Sequence, residues 1–255
     1  MNNKTSIWIS WGLTLLMMMT CSLSRGDVYM KQKRHTDGMT IMGKEHPSED
    51  VIQEIWITSK GFRTDDQHQS VLMLFDKGKM IILDHREKTY MEMPMDLSMG
   101  DIIGEKSESA EEKAAVENMM KGMMKMEVSV NEKGGKKHIN GWNCDQYQMD
   151  IKTMMGVVSQ EIWATQDLKM EYDLYQRFST AIMGANPMMK SIMNDVAVQM
   201  KKIKGVAVRT ISSQKIMNQT VTSTTELLEY SNKRAPSGIF DLPGDYKIKS
   251  MKEYR

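Results

Sequence analysis

Met91, Met93 and Met95 alternate along one stretch of this chain, and Met119, Met120, Met123, Met124 and Met126 crowd another. Thioether sulfur is a soft ligand that prefers Cu(I). Unlike a thiol, it forms no disulfide in an oxidising compartment. Alternation by two sets Met91 and Met93 on one face of a strand, whereas the second group is spread around a helical cylinder. No His or Cys stands close by to complete a metal site. Three readings stay open: ordinary core filling, a pliable apolar lining for a ligand, and a Cu(I) site.

The other reactive side chains offer less. His35, His46, His68, His85 and His138 all sit in polar, turn-like text. None has a Cys, Asp or Glu at a familiar ligand spacing. The chain contains no GxSxG, HExxH or CxxC pattern and no glycine loop suited to phosphate. We expect no enzyme and no cofactor. Cys144 has two readings, a redox-active exported thiol or a small buried side chain on a strand between Trp142 and Tyr147.

The N-terminus sets the compartment. Lys4 is followed by Ile7–Leu23, a run without a charged residue, and then by small residues before Arg25 and Gly26. This pattern reads as a signal peptide over residues 1–26, cut before Asp27 with Ser24 at −3 and Gly26 at −1. The alternatives are an uncleaved anchor and a lipoprotein leader that acylates Cys21. The mature domain then spans residues 27–255 as one unit with Cys144 its sole cysteine, too few for an internal disulfide. Loss of Lys4 and Arg25 leaves 32 basic against 33 acidic residues. That balance gives no electrostatic case for nucleic acid or an anionic membrane. Membrane contact is expected only if Cys21 is acylated, and the location is export to a periplasm or outer membrane.

The elements that must position these residues are mostly strands. From Asp27 to Asp96, short apolar runs are punctuated by turns: Asp37-Gly38, Lys60-Gly61, Asp76-Lys77-Gly78 and His85–Lys88. Asp37-Gly38 predicts a hairpin between Val28–Thr36 and Met39–Lys44. The rest predicts an antiparallel meander. Runs such as VLMLF and MIIL lack alternation and predict strands covered on both faces. Ser107–Lys125 reads as an amphipathic helix opened by a capping box at Ser109. Asp167–Lys204 reads as an interrupted helix carrying Phe178. Strands are expected again over Glu127–Ile151, Val157–Thr165, Val206–Lys215 and Thr220–Tyr230. Gln53–Thr58 (QEIWIT) returns as Gln160–Thr165 (QEIWAT), which would put Trp56 and Trp163 on matching faces, unless two amphipathic strands are alike by chance.

Four pieces resemble, in order, an exported bacterial family of unknown function. They are EIWITSKGFR (Glu54–Arg63), ILDHREKTYMEMPMD ending at Asp96, GWNCDQYQ (Gly141–Gln148) and PSGIFDLPGDYK (Pro236–Lys247). That family is grouped with the LolA/LolB and LppX-like lipoprotein-localisation factors. The resemblance implies an α+β fold: a strongly curved antiparallel sheet, an unclosed half-barrel, with helices covering its open face. It implies a non-catalytic role, holding a lipid or lipoprotein acyl chain between sheet and helices. Trp56, Tyr90, Met91, Met93, Trp163 and Phe178 are the expected ligand contacts, with core or rim packing the alternative for the tryptophans. The competing roles are an envelope interaction protein with a self-filled core and a Met-rich copper binder.

Overall fold

A computed structural model describes residues 27–41, 44–95, 127–153, 156–168, 198–216 and 219–250. The expected leader, Cys21, the helix at Ser107–Lys125 and Phe178 lie outside the described residues.

The described residues form fourteen strands, among them β1 (Val28–Thr36), β2 (Met39–Ile41), β3 (Lys44–His46), β4 (Glu49–Ile57), β5 (Gly61–Asp65), β6 (Gln69–Leu74), β7 (Lys79–Asp84) and β8 (Thr89–Pro94). They continue as β9 (Glu127–Ile139), β10 (Trp142–Thr153), β11 (Gly156–Thr165), β12 (Val206–Ile216), β13 (Gln219–Asn232) and β14 (Lys247–Ile248). Twelve join in one sheet, in the order β14-β8-β7-β6-β5-β4-β1-β13-β12-β11-β10-β9. Two meanders, β4 to β8 and β9 to β13, are thus welded through β1, which pairs antiparallel with both β4 and β13.

The turns follow from short polar side chains. Asp66 Oδ1 accepts from the backbone N–H groups of His68 and Gln69 at 2.8 and 2.9 Å. Asp84 Oδ1 repeats the device with Arg86 and Glu87, both at 2.9 Å. Each aspartate mimics a backbone turn and closes its hairpin. Between β6 and β7 a single 3-10 turn, Phe75–Lys77, ends at Gly78 with φ of 58°, a left-handed position that glycine takes without strain.

Three expectations are corrected. The described chain is almost all sheet, not α+β with helices covering an open face. The sheet is open and mixed, because β14 runs parallel to β8 while every other pairing is antiparallel. Strand β9 continues through Gly134-Gly135, where extra residues on β9 are absorbed as a register shift against β10 between Asp145 and Tyr147. Of Asp167–Lys204, only its two ends are described, with residues 198–200 helical. Finally, Asp37-Gly38 links β1 to β2 without pairing them as a hairpin. The β2 strand pairs with β3 in a separate two-stranded sheet, while β1 is claimed along its whole length by β4 and β13.

The C-terminal segment packs across the β5–β8 region. Phe240, Leu242 and Tyr246 lie against a buried cluster of Leu72, Leu74, Ile81 and Leu83, with Tyr90 beside them. Arg63 Nη1 donates to the Ile239 carbonyl at 2.5 Å and fixes the segment's path. Gly61 makes the approach possible: a Cβ there would stand 2.4 Å from the Met73 carbonyl oxygen and 3.1 Å from the Phe240 ring. Gly61→Ala is therefore expected to cost about 2 kcal/mol through overpacking, read as a lower urea midpoint at unchanged slope.

Candidate functional site

Paired residues on antiparallel strands share a face, so the registers sort the whole sheet into two surfaces. On the first face, one row crosses six strands as Val28, Ile57, Phe62, Met73, Met80 and Met93. The next row is Met30, Ile55, Thr64, Val71, Ile82 and Met91. Four methionines thus converge on three neighbouring strands. Met91 is buried and Met73, Met80 and Met93 are half-buried. None of these four belongs to the apolar clusters formed among the described residues.

The far half of the first face is filled by its own chain. Met200 and Ile203 pack on Val130, Tyr147, Met149, Ile162 and Ala164. Gln199 Oε1 accepts from the Val130 N–H at 3.2 Å, and Tyr147 Oη accepts from the Lys204 N–H at 3.4 Å. These bonds hold residues 199–204 against the sheet and occupy that half.

The second face is polar at its centre, with ion pairs Lys31–Glu54, Lys33–Asp50 and Arg209–Glu226. Towards β8 it becomes the apolar surface under the C-terminal segment. A hydrogen-bonded chain runs through it: Arg63 grips Asp65, Ser70 donates to Asp65, and His85 bridges Ser70 at 2.9 Å and Tyr246 at 2.8 Å. With the Ser70 proton given to Asp65, His85 Nε2–H donates to Ser70 and His85 Nδ1 accepts from the Tyr246 hydroxyl. That polarity is the reverse of a nucleophile and its base, and Ser70 is fully buried. The network clasps the C-terminal segment to the sheet.

The expected ligand contacts divide between the two surfaces. Met91 and Met93 lie together on the first face. Trp56, Tyr90 and Trp163 lie on the second, with Trp56 beside Tyr29 (ring centroids 4.8 Å apart) under the Lys233 ammonium, 5.5 Å from its ring. Tyr90 packs on the Leu72 cluster. Trp163 donates through Nε1 to Glu161 at 2.7 Å. The echoed strands β4 and β11 do put their tryptophans on one face, but it is the face opposite the methionines. Met73, Met80 and Phe62 were missed as lining. Their signal was the pairing of hairpins already visible in the sequence, which registers Met80 against Met93.

Cys144 lies beside a cavity of 490 Å³ at the β9–β10 end, lined by Lys136, Lys137, His138, Asn143, Asp145, Gln166 and Asp167 as well. The lining is too polar for an acyl chain. Burial pushes the Cys144 thiol up, and the Asp167 and Asp145 carboxylates add to the shift. The side chain is 3% exposed and its thiol is directed at the Trp142 carbonyl at 3.6 Å. The buried reading therefore holds for this thiol. Reaction with Ellman's reagent at pH 8 is expected at least about tenfold slower than in the urea-unfolded chain, since the thiolate is the reacting form.

Among the described residues, no group of three or more His, Cys, Asp and Glu is placed to hold a metal, and no helix is long and apolar enough to cross a membrane. No curated protein matches the chain. The family described as Domain of unknown function (DUF4412) matches residues 37–246, most of the chain. The chain belongs to that family.

Proposed function

We propose that this is an exported, non-catalytic protein that holds an apolar ligand, a lipid or lipoprotein acyl chain, against the first face of its sheet. The observation that carries the reading is the methionine-rich surface on β6, β7 and β8, continuous with the half-buried Val71 and Ile82. Its counterpart on the second face is covered by the C-terminal segment, and the far half of the first face is filled by Met200 and Ile203. Unbranched, polarizable methionine conforms to a flexible chain with little loss of contact. Each methylene withdrawn from water contributes about 0.8 kcal/mol, so affinity needs few directional contacts. The leader-like N-terminus and the expected kinship with lipoprotein-localisation factors support the same role.

The test is thermal unfolding with and without palmitate, phosphatidylglycerol or a triacylated lipopeptide. A ligand present at 100 times its Kd adds about 2.7 kcal/mol to the native state. An unchanged transition with all three counts against the proposal.

One observation favours a second reading. Met73, Met80 and Met93 are successive partners on adjacent strands, and side chains so paired approach within about 5 Å at Cβ. Neighbouring thioethers at that spacing suit Cu(I). Under this reading Cu(I) raises the unfolding temperature and Met80→Leu, close in volume, removes the rise; no rise in the parent protein excludes it.

A further inference from the structure

Strand β1 places one cationic side chain, Arg34, on the first face. Strand β1 reads Lys31, Gln32, Lys33, Arg34, His35, and alternation separates this basic run. Lys31, Lys33 and His35 face the second surface, where Glu54 and Asp50 pair with them. Arg34 faces the first surface, directly opposite Val51 on β4 and Thr225 on β13. It is half-buried and makes no ion pair among the described residues. The carboxylate nearest by register, Glu49, stands one pair along the same face and is 3.4 Å from His68 Nε2. Gln32 and Gln53 flank the guanidinium and bond each other at 2.6 Å, and Thr36 and Ser223 do so at 3.3 Å. A half-buried guanidinium with no acidic partner among the described residues is available to an anion. Its planar fork fits a carboxylate or phosphate bidentately.

We propose that Arg34 receives the anionic head group of an amphiphile whose tail runs along the first face towards the methionine surface. The inference rests on the apolar-ligand reading above and names the class of ligand. Strands β1, β4, β5, β6 and β7 are successive neighbours. The Ile82 strand is therefore four strand spacings, about 19 Å, from β1. The Ile82 row meets β1 at Met30, four residues or about 13 Å along the strand from Arg34, so the diagonal of about 23 Å is covered by the arginine side chain and a hexadecyl tail together. The tail passes over Val71, and the amides and hydroxyls around Arg34 solvate the head.

The experiment uses the full chain and measures displacement of Nile red by hexadecanoate, hexadecyl phosphate and hexadecan-1-ol. These share a tail and differ in the head. The anionic compounds are expected to displace the dye at concentrations at least about tenfold lower than the alcohol, because a charge-assisted bidentate contact is added. Whichever anion is tighter identifies the head group as carboxylate or phosphate. Arg34→Gln is expected to bring both anions to the level of the alcohol and leave the alcohol unchanged, while Arg34→Lys retains part of the preference. Equal displacement by all three compounds in the parent protein overturns the inference and leaves the apolar-ligand reading standing. So does an Arg34→Gln variant, shown to melt as the parent does, that keeps its anion preference. Failure of every compound to bind overturns both.

Discussion

Leu72→Ala is expected to lower the unfolding free energy by about 3 kcal/mol, in the range for a fully buried leucine whose site cannot collapse. Leu72 has no exposed surface and lies at the centre of the cluster under Phe240, Leu242 and Tyr246. The same chemistry applies from the other side. Phe240→Ala is expected to cost about 2 kcal/mol, the lower value reflecting a ring that is only partly buried. Because both substitutions open the same interface, their sum overstates the double variant by about 1 kcal/mol. Urea unfolding of the four proteins checks this. A Phe240→Ala variant as stable as the parent would show that the C-terminal segment is a loose tail instead of the second layer of that half of the sheet.

The second large effect concerns the ligand. Met80→Glu introduces a carboxylate of similar length into the middle of the Met73–Met80–Met93 row. With a hydrocarbon chain above it, the carboxylate is desolvated without a partner, at a cost of several kcal/mol. Acyl binding is expected to fall at least about 100-fold, equivalent to about 2.7 kcal/mol at 1.36 kcal/mol per decade. Met80→Leu, in contrast, is expected to change binding less than about threefold, since apolar swaps that conserve volume are tolerated. A Met80→Glu protein that binds acyl chains as the parent does would remove the first face from the account.

The strands were legible because turns carry local chemistry. Asp66 and Asp84 close their hairpins with their own side chains, so β5 through β8 could be read from the text within a residue or two. The pairing of β1 with β13 was not legible. It joins segments about two hundred residues apart, and nothing within either strand names the partner. For the same reason Asp37-Gly38 misleads: its local signal predicts a hairpin, but a more extensive non-local pairing claims β1. The site was read in part. Met91 and Met93 were found by alternation within one strand, and Met73 and Met80 required the register of the next two. The bulk of Trp56, Tyr90 and Trp163, and the echo that holds the two tryptophans, do not say on which face of the sheet each falls. Arg34 was hidden in a basic run that period two divides between opposite surfaces. The role of Pro236–Lys247 as a covering layer also depends on tertiary placement, although its Phe, Leu and Tyr marked it as something more than a tail.

The most direct measurement is native mass spectrometry of the protein purified from its own cells, followed by solvent extraction and identification of what is released. The account predicts one amphiphile per chain, lost in Met80→Glu and retained in Met80→Leu. A folded protein that carries no lipid from the cell and takes up none when palmitate or lipopeptide is supplied would contradict it.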